Sequence, residues 1–122
     1  MTAATAAVGA DSVILVVEDE AESRESLREL LEIEGYTVET ATNGKEALDK
    51  LDSLEPCFIL LDLFMPVMDG WQVLEKLRSD GRLSRLKVLV TTSAAANTPA
   101  DVPVLLKPLD FDRLLRTIDA FC

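Results

Sequence analysis

Two kinds of apolar pattern take turns along this chain. VILVV, beginning at Val13, is short, β-branched and apolar on both faces, as a central strand of a parallel sheet should be. From Ala21 to Glu34 a charged segment carries Leu27, Leu30, Leu31 and Ile33 on one side, which predicts a helix stopped by Gly35. TVETAT at 37–42 alternates and is more polar, the pattern of an edge strand. Asn43 and Gly44 open a short helix through Leu51, with Ala47, Leu48 and Leu51 facing inward. CFILLD at 57–62 is again a solid apolar strand. After the turn MPVMDG, Trp71, Leu74 and Leu77 repeat at helical spacing until Gly81. KVLVTT at 87–92 predicts a fourth strand and PVLL at 103–106 a fifth, and Phe111, Leu114, Leu115 and Ile118 mark an amphipathic helix begun by Asp110.

Strands alternating with helices require right-handed crossovers and a parallel sheet covered on both faces. Five such strands predict an α/β, flavodoxin-like doubly wound sheet of order 2-1-3-4-5. One connection breaks the pattern. Only ten residues separate Thr92 from Pro103, at the lower limit of about 10–12 for a crossover between parallel strands, and Pro99 discourages a regular helix. The helix between the fourth and fifth strands is therefore expected to be truncated or absent. In open sheets of this kind a ligand site lies beyond the carboxyl ends of the strands, where strand order reverses.

With 122 residues the chain has material for one domain, expected over 13–122, preceded by residues 1–12, MTAATAAVGADS. That opening lacks the positive start and apolar block of a secretory signal and reads as a flexible leader. No run approaches the ~20 apolar residues of a membrane span, so no membrane insertion and a cytoplasmic location are expected. A net charge of −10 disfavours direct nucleic-acid binding and favours divalent cations and basic protein surfaces. Cys57 and Cys122 match no zinc spacing, and a buried, reduced thiol is the expectation for Cys57 rather than a disulfide. There is no histidine, so any chemistry runs on carboxylates, hydroxyls and lysines.

The carboxyl ends of the expected strands supply Glu18 and Asp19, then Asp62, Thr92 and Lys107. Three carboxylates gathered together repel one another unless a cation neutralises them, and an all-oxygen acidic pocket suits Mg²⁺. A carboxylate relieved in this way can attack phosphorus. An ammonium and a hydroxyl beside it can stabilise charge on the transferring oxygens. Taken singly, each residue has an ordinary role: the acidic pair as a helix start, Thr92 as a strand residue, Lys107 as a solvated cation. Their joint placement at one edge favours the chemistry.

VVEDE, LLDLFMPVMDG, VTTSA and LLKPL, in this order and spacing over roughly residues 13–120, resemble the response regulator receiver (CheY-like) family. The resemblance implies a phosphoacceptor at Asp62, a direct Mg²⁺ ligand at Asp19, an outer ligand at Glu18 and a coordinating backbone carbonyl at Phe64. It makes Thr92 the switch hydroxyl, Lys107 the phosphate-contacting lysine and Lys107–Pro108 a cis bond. It also implies a histidine kinase or histidine phosphotransfer protein as donor, with a downstream protein partner that the sequence does not name. Three places depart from the family: the short 92–107 connection, Val104 where an aromatic is common, and Phe64 and Ala94 where polar side chains often stand. A Mg²⁺-dependent phosphohydrolase is the enzymatic alternative, weakened because Phe64 occupies the place two residues past Asp62 where an acid/base would stand. A constitutive interaction module with a vestigial site is the other alternative, disfavoured because all five polar residues are present and kept open by the short connection.

Overall fold

The computed structural model describes residues 13–122; the leader expected at 1–12 lies outside the described residues. Five parallel strands, β1 (Val13–Val17), β2 (Thr37–Ala41), β3 (Phe58–Asp62), β4 (Val88–Thr92) and β5 (Val104–Leu106), form one sheet in the order β2-β1-β3-β4-β5. Four helices accompany them: α1 (Ala21–Ile33), α2 (Gly44–Leu51), α3 (Gly70–Ser79) and α4 (Phe111–Asp119), with a single 3₁₀ turn at Leu83–Arg85. Strand order reverses between β1 and β3, which places the switch point at the carboxyl ends of those two strands.

Because successive strand residues point to opposite faces, the apolar runs divide into two cores. Ile14, Val16, Phe58, Leu60, Leu89 and Leu105 join Leu31, Leu114 and Ile118 on the face covered by α1 and α4. Leu15, Val17, Ile59, Leu61, Val88 and Val90 join Ala47, Leu51, Val73, Leu74 and Leu77 on the face covered by α2 and α3. β3 is buried at every residue, whereas β2 alternates and lies at an edge as its composition predicts.

Side chains cap the starts of three of the four described helices, α1 being the exception. Asn43 accepts the Glu46 amide ahead of α2, and Asp110 accepts the Arg113 amide ahead of α4. Asp69 and Gln72 make a reciprocal capping box ahead of α3. The expected stripe on α1 is narrower than its sequence pattern. Leu31 is fully buried and Leu27 half-buried, but Leu30 and Ile33 are 41% and 78% exposed. At 100° per residue, Ile33 lies about 200° around the axis from Leu31, so it cannot share the buried face.

Residues 93–103 contain no helix, as the short connection predicts. An irregular segment covers part of the space instead: Pro99 is buried, Val102 packs against the α2/α3 core, and Asp101 is clamped to α3 by Arg78. That ion pair is bidentate, with Nε–Oδ2 and Nη2–Oδ1 distances of 2.6 and 2.7 Å. The expectation of reduced cysteines is overturned. Cys57, at the entry to β3, forms a disulfide with Cys122, which follows α4, across a sequence separation of 65. α4 leaves the carboxyl edge of the sheet after β5 and runs back antiparallel to the strands, which brings its end to the amino-terminal edge of β3, a proximity that spacing in sequence cannot express.

Two core glycines make close approaches. A Cβ on Gly44 would meet Val73 Cγ2 at 2.6 Å and the Met68 carbonyl oxygen at 2.7 Å. Gly44 also donates its amide to that carbonyl. Gly44→Ala is expected to destabilise the fold by about 1–3 kcal/mol, measurable as a lower urea midpoint at unchanged slope.

Candidate functional site

Each residue singled out at the sheet edge sits at or just past the last rung of its ladder. The Glu18 amide donates to the Ala41 carbonyl (3.0 Å), Leu63 donates to Thr91 (3.1 Å), and Lys107 donates to Thr92 (2.8 Å). Main-chain pairing thus brings Glu18, Asp62, Thr92 and Lys107 to one edge before any side chain contributes. The loop after Asp62 turns back at once, because Gly70 donates to the Leu63 carbonyl at 2.8 Å. A Cβ there would stand 2.6 Å from the Asp62 carbonyl oxygen, so only glycine lets α3 start this close. Val67, in the same loop, holds φ at 69°, a left-handed conformation uncommon for a β-branched residue. The Lys107–Pro108 bond is cis, as the resemblance implies.

Carboxylate oxygens of Glu18, Asp19 and Asp62 lie within 4.8 Å of one another. Glu18 and Asp62 are only 4% and 5% exposed, while Asp19 is open to solvent. Lys107 Nζ stands 3.1 Å from Glu18 Oε1 and 3.4 Å from Asp62 Oδ2. Burial, and then the neighbouring Glu18 charge, push the Asp62 carboxyl up to about 6 against the partial opposition of Lys107. Burial alone would lower the Lys107 ammonium, but Asp62 and Glu18 outweigh it and hold Lys107 above the usual range. The single ammonium does not neutralise the carboxylates around it.

Thr92 is fully buried at the end of β4, and its Oγ1 accepts the Ala94 amide at 3.1 Å, leaving the hydroxyl hydrogen available for another acceptor. Thr92 therefore lies at the edge beside the carboxylate cluster without being bonded into it. Phe64 extends from the loop two residues past Asp62 with its side chain 57% exposed, and Ala94 is also exposed. Met65 is buried, and Met68 packs against the α2/α3 core.

One residue of the site went unread in the sequence. Arg24 Nη1 donates to the backbone carbonyls of Glu18 (3.0 Å) and Asp19 (3.3 Å), so a side chain from the first turns of α1 fastens the acidic loop from behind. Its only signal is an arginine one turn into a helix that follows an acidic strand end. The loop is held further by the Glu20 amide, which donates to Glu18 Oε2 at 3.2 Å. A shallow cavity of about 320 Å³ adjoins the site, walled by Leu27 and Leu30 on one side and by Lys107, Pro108 and Phe111 on the other.

The raised Asp62 carboxyl has a stability consequence of definite sign. A group whose folded value exceeds its ordinary 3.8 binds more protons folded than unfolded. Stability from this group is therefore fully present below about pH 4 and is lost as pH rises through about 6. In buffer without divalent cations, Asp62→Asn is expected to be more stable than wild type at pH 7 by on the order of 2 kcal/mol, with the difference shrinking toward pH 4. Parallel urea unfolding at both pH values measures it.

Comparison with known proteins agrees with this geometry. The model of the response regulator receiver domain matches residues 14–119. The response regulator MprA of Mycolicibacterium vanbaalenii is 38% identical over 112 residues, which are 88% of this chain and 48% of that protein. MprA of Mycobacterium avium gives the same identity over 88% of this chain and 49% of its own length. The chain thus spans about half the length of the curated relatives it matches. Among solved structures, the chemotaxis protein CheY4 of Vibrio cholerae superposes with a TM-score of 0.80 at 28% identity, covering 93% of this chain and all of that one. TrrA of Thermotoga maritima, solved in complex with Mg²⁺ and BeF, superposes with a TM-score of 0.80 at 32% identity, covering 91% of this chain and 99% of that one. With the family model spanning nearly the whole described chain and the strand order and acidic edge in agreement, this chain belongs to the response regulator receiver domain family.

Proposed function

We propose that this chain accepts a phosphoryl group on Asp62 from a phosphohistidine of a separate histidine kinase or phosphotransfer protein, and passes that state on by altered protein binding. The observation that carries the reading is the buried Glu18–Asp62 pair, under-neutralised by one lysine at 3.1 and 3.4 Å. A binding module with no chemistry has no reason to keep such a pair at a sheet edge.

The donor set fits a hard divalent cation. It offers three carboxylates with oxygens within 4.8 Å of each other and no nitrogen or sulfur, a choice suited to Mg²⁺. Asp19, Asp62 and the Phe64 carbonyl would hold it, with Glu18 acting through water. Bound there, Mg²⁺ would cancel the repulsion among the carboxylates and part of the charge on the phosphoryl oxygens. Mg²⁺ in the TrrA complex supports the assignment by similarity.

The chain's own residues then do the following. An Asp62 oxygen attacks phosphorus while the P–N bond to the donor imidazole breaks, and the electron pair of that bond returns to the imidazole. Lys107 exchanges its carboxylate partners for phosphoryl oxygens and stabilises the charge spread over them. Thr92 donates its free hydroxyl hydrogen to the same group while still accepting from Ala94. The movement of Thr92 is felt next in the 93–103 segment, since Val104 is no aromatic switch. That segment shifts between existing arrangements and alters the face offered to a partner. Phe64 and Ala94 can neither orient nor activate a water, so the phosphoryl group is retained.

Treatment with acetyl phosphate and Mg²⁺ is expected to add one phosphoryl mass to wild type and none to Asp62→Asn; an unmodified wild type would overturn the proposal. Once the donor is removed, the added mass should decay over minutes or longer. Loss within seconds would contradict the role given to Phe64 and Ala94.

A further inference from the structure

At the end of the sheet opposite the acidic site, the last residues of the chain are fastened by several different contacts. The Phe121 ring stacks on Phe58 at 6.2 Å between centroids, and Lys87 Nζ lies 5.1 Å from the same ring. The Phe121 and Cys122 amides both donate to the Ile118 carbonyl, at 2.9 Å each. The disulfide then ties Cys122 to Cys57, whose own amide is paired to Val13 at 2.9 Å. Both cysteines are thus anchored through their amides, Cys57 to β1 and Cys122 to the end of α4.

Two features mark this bond as more than a passive staple. Both cysteines are only half-buried, so the bond lies at the margin of the core rather than within it. Phe121 also forms one wall of a cavity of about 220 Å³ whose other walls include Asp101, Val102 and Pro103. Those residues close the irregular segment that replaces the missing helix, and Asp101 is the residue held by Arg78. The disulfide therefore lies one residue from the ring that shares this cavity with the base of the β4–β5 connection.

We propose that Cys57 and Cys122 form a reversible thiol–disulfide exchange site for low-molecular-weight thiols, which sets how firmly Phe121 closes that cavity. A small thiolate attacks one sulfur of the bond, giving a mixed disulfide and releasing the other cysteine as a thiolate. A second small thiolate then attacks the small-molecule sulfur of the mixed disulfide and releases the second cysteine. The sum is two small thiols oxidised to one small disulfide, with both electrons and both protons ending on Cys57 and Cys122. In the oxidised form the chain between them is closed into a loop. In the reduced form the end of α4 keeps buried Ile118 and the Tyr36 hydroxyl on Asp119. Phe121 and Cys122 then keep the Phe58 stack, the Lys87 contact and their amide bonds to Ile118 but lose the covalent tie to Cys57. The proposal does not depend on phosphorylation of Asp62.

The test equilibrates the full chain in mixtures of reduced and oxidised glutathione, alkylates free thiols without denaturant, and counts them by intact mass. Hydrogen exchange is then followed at 118–122 and 99–106. The expected result is a single passage from no free thiols to two across the series, with roughly tenfold faster exchange at Phe121 and Cys122 in the reduced form. Exchange in β1 and β3 should be unchanged. Cys122→Ser should show the fast exchange in every mixture, and Cys57→Ser should match it, which separates loss of the bond from loss of one side chain. Two free thiols under fully oxidised glutathione, a bond that resists reduced glutathione while the protein is folded, or equal exchange in the two forms would each overturn the proposal.

Discussion

Two carboxylates nearly out of water, sharing one ammonium, are the interaction on which the rest of this molecule turns. At separations within 4.8 Å, two like charges oppose each other by roughly 3–4 kcal/mol at an effective dielectric constant of about 20. A small domain tolerates that only if the backbone leaves no other arrangement. Here it does not: Glu18, Asp62 and Lys107 are each placed by a ladder hydrogen bond at or beside their own position, and Arg24 secures the acidic loop from behind. The parallel sheet imposes the same location. Both of its faces are filled by apolar side chains, so the carboxyl edge is where charge can gather.

Irregular backbone is concentrated in the β4–β5 connection. A receiver whose alternation were complete would place a helix there. This one has an irregular stretch held by Pro99, Val102 and the Arg78–Asp101 pair. The stretch begins directly after Thr92, whose hydroxyl accepts the Ala94 amide, at one end of the sheet. It finishes against the Phe121 wall at the other. Like β3, which runs from beside Cys57 to Asp62, it reaches from the acidic edge to the disulfide end, in a chain whose Val104 offers no ring to flip.

Most of the strands, and the acidic edge they create, were legible in the sequence for a physical reason. A buried parallel strand must be apolar at every position, so VILVV and FILLD announce themselves, and whatever polar residue follows each run is necessarily at the edge. The missing helix was legible too, since ten residues with a proline can cross between parallel strands but leave no room for a regular helix on the way. What escaped depends on distance through space. Leu30 and Ile33 look like core by type, but a helix on one sheet face buries only a narrow stripe. Cys57 and Cys122 meet because α4 runs the length of the sheet, and Arg24 reaches back over its own loop; neither contact leaves a periodic trace.

The central claim is that crowding at this edge raises the Asp62 carboxyl above its ordinary range and that a divalent cation would relieve the crowding. Carbon-13 titration of the Asp62 side-chain carboxyl measures it directly. The account predicts a midpoint near 6 without divalent cations, falling to well below the ordinary carboxylate range when Mg²⁺ is added. A midpoint at the ordinary value that Mg²⁺ leaves unmoved would contradict it.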